Sequence, residues 1–126
     1  MPKDDYIDVT GTLRKAQRQI ESERTKTGLR SLRALEPEEL RLPERLRFYY
    51  LRGLAHLQRL DAARAMPDLD RAMALARQLH NSEAATRVSG LIGWAHRQRL
   101  HSLQAHSADP RRVGAARRAR DLEVTA

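Results

Sequence analysis

Two stretches of this chain repeat each other at an interval of 40 residues. Tyr49 to Ala65 reads YYLRGLAHLQRLDAARA and Ser89 to Ala105 reads SGLIGWAHRQRLHSLQA. Leu51/Leu91, Gly53/Gly93, Ala55/Ala95, His56/His96, Gln58/Gln98, Arg59/Arg99, Leu60/Leu100 and Ala65/Ala105 are identical across the shift. Self-similarity at this period is the signature of helix pairs stacked in an array, because a single pair cannot bury its apolar face alone. A chain of 126 residues carries one domain of this kind, residues 1–126, with no linker long enough to divide it.

Leu, Ala, Arg, Glu and Gln dominate the composition, all strong helix formers, and alternating β-branched runs are missing, so the predicted class is all-α. The absence of cysteine removes disulfide frameworks, thiolate metal sites and cysteine nucleophiles, and nothing points to an oxidising compartment. The polar opening MPKDDYIDVT does not read as a signal peptide, and no apolar run reaches membrane-spanning length, so a cytoplasmic protein without a membrane partner is expected. The net charge of +8 rests on 21 Arg and 3 Lys against 16 acids. Between Ala84 and Arg120 eight Arg face a single acid, Asp109, which concentrates the positive field towards the C-terminus.

Apolar periodicity predicts a first helical hairpin over residues 7–36. Its first helix carries Leu13, Ala16, Gln17 and Ile20, and its second runs from Thr25 to about Leu35, closed by Pro37. A second pair is predicted over 43–80. Pro43 suits the first turn of its leading helix, Asp61 caps the next, and Ala65, Leu69, Ala72, Met73 and Ala76 form the stripe that the second helix buries. Pro67 deprives that helix of the bond to the Ala63 carbonyl, which predicts a kink or a start nearer Met66. A third pair is predicted over 82–122. Asn81 and Ser82 start a helix to about Leu100, His101 to Ala105 copies the start of the fourth helix, and Asp109-Pro110 opens a last basic helix.

Tyr49, Gly53, Asp61, Ala65, Leu69 and Ala72 fall where the tetratricopeptide (TPR) repeat places its bulky, small, turn, small, bulky and small residues. The chain resembles that family, in the lengthened form found in sensor domains of bacterial transcription regulators. Leu60 replaces the usual turn glycine, Arg52 stands where leucine is commoner, and His56 occupies an aromatic slot. Ala16, Gly28 and Leu32 take the corresponding small, small and bulky places of the first pair. The resemblance implies a right-handed solenoid of about three helical hairpins with a C-terminal basic capping helix. It also implies a non-catalytic scaffold that holds a peptide or partner protein on a concave face. By position that face presents Arg47, Tyr50, Leu54, Leu57, Arg87, Trp94 and Arg97, a groove suited to an acidic or C-terminal peptide. It further implies close approach at Gly53 and Gly93, where leucine would overpack the paired helices at about 1–3 kcal/mol each.

Trp94 and the tyrosines read first as packing residues, and His56 and His96, at equivalent repeat positions, as histidines packed between helices. His96, His101 and His106 are spaced by five, which does not stack ligands on one helical face, so no metal or cofactor is expected. No nucleophile, base and orienting group come together in a catalytic constellation. Arg111, Arg112, Arg117, Arg118 and Arg120 suit a second reading, a nucleic-acid-associated accessory or transcriptional regulator. Against it, no nucleic-acid-binding motif accompanies them, and a solvated capping helix explains them as well. Self-association is a further expectation, since a short array has open ends.

Overall fold

A computed structural model of the chain describes residues 8–107. They are all-α, with no strand among the described residues: α1 (Val9–Glu21), α2 (Thr25–Leu32), a 3-10 turn (Pro37–Glu39), α3 (Leu42–Gln58), α4 (Ala62–Gln78) and α5 (Ser82–Ser107). Asp8 caps α1 by accepting from the Gly11 N–H at 3.0 Å, and Asp61 caps α4 by accepting from the Arg64 N–H at 3.1 Å. Pro43 lies in the first turn of α3, as its fixed φ and missing N–H favour. α2 stops at Leu32, three residues short of its predicted end, and Leu35 is nevertheless buried in the connection that follows. That connection is held by Arg45, whose guanidinium donates to the carbonyls of Pro37 (2.8 Å), Glu38 (2.8 Å) and Leu40 (3.0 Å).

Three turns share one geometry. After α3, the Asp61 N–H bonds the His56 carbonyl at 2.9 Å and the Leu60 N–H bonds that of Leu57 at 3.0 Å, the Schellman arrangement. The same pair of bonds closes α1 around Glu23 and α4 around His80. The left-handed residue of each is not glycine: Glu23, Leu60 and His80 have φ of 62°, 57° and 52°. Leu60 thus adopts a left-handed conformation that ordinarily favours glycine and projects into solvent at 80% exposure.

α4 runs unbroken from Ala62 through Pro67, so the start nearer Met66 is not what the chain adopts. α5 also departs from expectation. It continues through Leu100 to Ser107 as one 26-residue helix, and His101 to Ala105 does not open a new one. The repeat explains why: Asp61, which caps α4, is matched by His101, which cannot cap, and Pro67 is matched by Ser107. With no stop or start signal at that point, propagation of the existing helix wins. The last predicted helix, 110–122, lies outside the described residues.

Each helix packs on the next, most extensively α3 on α4. α1 also touches α3, and α3 touches α5, whereas α1 reaches neither α4 nor α5 and α2 does not reach α4. Leu13, Ala16, Ile20, Leu32, Phe48, Leu51, Leu57, Leu69, Ala72 and Val88 form one continuous core along this open series. A shift of 37 residues relates the first pair to the second: Ala16 to Gly53, Ile20 to Leu57, Glu23 to Leu60, Gly28 to Ala65 and Leu32 to Leu69. The close approach falls at Gly28 in the first pair and at Gly53 in the second. A Cβ on Gly28 would collide with Ile20, and one on Gly53 would lie 2.7 Å from Leu69 Cδ2. Among the described residues Gly93 is not such a site: a Cβ there would meet only the Arg97 guanidinium at 3.4 Å, because no described helix covers that face of α5.

The joints between successive pairs repeat as well. Gln58 Nε2 donates to the Ile20 carbonyl at 2.9 Å, and Gln98 Nε2 donates to the Leu57 carbonyl at 2.7 Å. Each glutamine gives a second donor to a carbonyl in the last turn of the leading helix of the preceding pair, the same carbonyl that accepts a Schellman-turn N–H. The two joints differ in one hydroxyl. Thr25 Oγ1 donates to Gln58 Oε1 at 2.6 Å, whereas its counterpart 37 residues on is Ala62, and Gln98 Oε1 is buried without a hydrogen-bond partner among the described residues. Ala62→Ser places a donor at that acceptor and is expected to raise the unfolding free energy by about 0.5–1 kcal/mol in urea denaturation. A serine that leaves stability unchanged or lowers it would show that the two joints are not equivalent.

Candidate functional site

Two faces of α3, on opposite sides of the helix by its period, carry the polar groups of interest. On one, Arg47, Tyr50 and Leu51 meet Gln17 of α1 and Glu83, Ala84 and Arg87 of α5 around a half-open pocket of about 310 Å3. Three helices build it because α1, α3 and α5 lie side by side. Arg47 Nε donates to Gln17 Oε1 at 3.1 Å, its Nη2 donates to the same oxygen, and Gln17 Nε2 donates to Glu21 at 2.9 Å. Arg47 therefore meets a neutral amide, and it takes no part in an ion pair among the described residues. Arg87 pairs with Glu83 at 2.8 Å, but both side chains are largely exposed. An exposed pair of this kind contributes about 0–1 kcal/mol and exchanges readily for another carboxylate.

Of the residues predicted for the concave face, the structure gathers Arg47, Tyr50 and Arg87 in this pocket. Leu54 is half-buried against the core one turn further along α3. Trp94 and Arg97 line a separate depression with Leu60, Gln98 and His101. Arg111, Arg112, Arg117, Arg118 and Arg120 lie outside the described residues.

The opposite face of α3 holds a cluster that apolar periodicity did not reveal. Asp68 of α4 is 3% exposed and accepts from Arg52 at both oxygens, Nε to Oδ2 at 3.0 Å and Nη2 to Oδ1 at 2.8 Å. Arg71 approaches the same carboxylate at 3.6 Å. The Arg52 guanidinium lies 4.8 Å from the Phe48 ring centre and 5.6 Å from that of Tyr49, within cation–π range, and Arg71 lies 5.5 Å from Tyr49. Hydrogen bonding to Asp68 raises the Arg52 pKa above its ordinary value despite partial burial. Burial lowers the His56 pKa, outweighing the pull of Asp68, which favours the neutral ring and weakens its 3.8 Å approach to Asp68 as an ion pair. His96, expected to pack like His56, is exposed, with no helix among the described residues lying against it as α4 lies against His56. The signal for Asp68 was Arg52 itself, a cation in an apolar slot that needs a buried anion opposite.

Among the described residues no group of three or more His, Asp or Glu is placed to hold a metal ion, and no helix is long and apolar enough to cross a membrane. No protein-family model, curated protein or solved structure matches the chain.

Proposed function

We propose that the chain is a TPR-like stack of helical hairpins that binds an acidic peptide or a partner protein's carboxylate-bearing segment, with no catalysis of its own. The observation that carries this reading is the pocket between α1, α3 and α5, where Arg47 and Arg87 flank Tyr50. Two guanidiniums on either side of a ring offer bidentate partners for carboxylates and an apolar surface for the intervening chain. The repeated glutamine joints support the stacking on which that face depends. Leu54, Trp94 and Arg97 extend the face along α3 and α5 in this reading.

An array of acidic peptides, free and with C-terminal carboxylates, supplies the test. Peptides retained by the wild-type protein are expected to lose about tenfold or more in affinity with Arg47→Glu and again with Arg87→Glu. Retained peptides that bind both charge-reversed variants as well as wild type would rule the site out.

A further inference from the structure

We propose that the groove between α2 and α4, floored by α3, binds a compact, multiply charged phosphate compound. α2 and α4 do not touch, which leaves an open trough of about 530 Å3 between them. Five guanidiniums line it: Arg33 just past α2, Arg52 of α3, Arg59 just past α3, and Arg64 and Arg71 of α4. Against them stand Glu36 and Glu38 at one wall, Asp68 beneath the floor and Asp61 beside Arg64, so five positive charges against four negative leave an excess of one.

The arginines differ in what holds them. Arg52 is fixed by its two bonds to Asp68 and by the ring of Phe48. Arg64 and Arg71 make longer pairs, 3.5 Å to Asp61 and 3.6 Å to Asp68, and their side chains are mostly exposed. Arg33 and Arg59 are exposed and join no ion pair among the described residues. A rigid cation on the floor and four adjustable ones around the rim surround a small volume. Guanidiniums converging from several directions match the tetrahedral oxygens of phosphate, with several donors each. An extended peptide would span the trough and leave most of them unused. This site is distinct from the pocket of Arg47 and Arg87, on the other side of α3.

Calorimetric titration of the full chain with sodium tripolyphosphate, ATP and adenosine tests the proposal. Tripolyphosphate is expected to bind, adenosine is not, and Arg33→Gln with Arg59→Gln should weaken tripolyphosphate about tenfold. Arg14→Gln with Arg99→Gln removes the same charge elsewhere and should change binding less than twofold. ATP binding much tighter than tripolyphosphate assigns the ligand to nucleotides, and tripolyphosphate alone assigns it to inorganic polyphosphate; either result supports the site. The proposal fails if neither phosphate compound binds, if both double variants lose binding equally, or if hexaglutamate binds as tightly as tripolyphosphate. None of these substitutions touches Arg47 or Arg87, so failure here leaves the peptide reading standing.

Discussion

Asp68→Asn is expected to lower the unfolding free energy by about 2–3 kcal/mol, the largest loss from any near-isosteric change in this chain. The carboxylate is 3% exposed and accepts both Arg52 bonds, at 2.8 and 3.0 Å. An amide of the same shape keeps one acceptor and turns an N–H2 towards a guanidinium, so a donor faces a donor. The loss stays below that of a fully enclosed pair because the Arg52 side chain is 31% exposed and can recover some hydration. Removing both charges behaves differently: Asp68→Leu with Arg52→Met takes away both desolvated ions and should return to within about 1 kcal/mol of wild type. Urea denaturation of Asp68→Leu, Arg52→Met and the double variant measures the coupling, with Asp68→Asn measured alongside. An Asp68→Asn protein within 0.5 kcal/mol of wild type, roughly the scatter of surface substitutions, would mean that the pair is solvated and not part of the α3–α4 interface.

Gly53→Leu and Gly93→Leu should have effects of different size, and of different sign, although the two glycines are identical in the repeat. At Gly53 even a Cβ would lie 2.7 Å from Leu69 Cδ2 and 3.0 Å from its Cγ. Leu69 is fully buried and has nowhere to move, so leucine at position 53 must push α3 and α4 apart at a cost of about 3 kcal/mol. At Gly93 a new side chain meets, among the described residues, only the flexible end of Arg97. There the gain in helix propensity, up to about 0.8 kcal/mol, leaves the protein unchanged or slightly more stable. Thermal unfolding separates the cases. Equal destabilisation by both leucines would mean that a helix does cover Gly93.

The second hairpin was legible in the sequence because its signals are local. Pro43 and Asp61 mark the two starts, and the stripe of Ala65, Leu69 and Ala72 marks the buried face. The end of α5 was not legible, because eight identities outweighed the one substitution that decides whether a helix stops, Asp61 against His101. Gly93 was misread for the same reason: identity fixes a residue, but close approach needs a second helix to approach. The glutamine joints escaped notice since an amide at the edge of an apolar stripe looks solvated, and only coordinates show which carbonyl it meets. Arg52 and Asp68 interrupt the apolar pattern on facing helices, and read together they predict each other. The convergence of Arg47, Tyr50 and Arg87 followed from the resemblance alone, since no periodicity within a single helix relates α3 to α5.

The account rests on α1, α3 and α5 standing side by side as an open series. Nuclear Overhauser contacts from the side-chain amides of Gln58 and Gln98, in isotopically labelled protein, report on both joints at once. The expected result is a contact from Gln58 to Ile20 and a matching one from Gln98 to Leu57, with no backbone contact joining α1 to α5. Backbone cross-peaks between α1 and α5, or glutamine amides that contact neither residue, would describe a closed bundle and contradict the stacked arrangement.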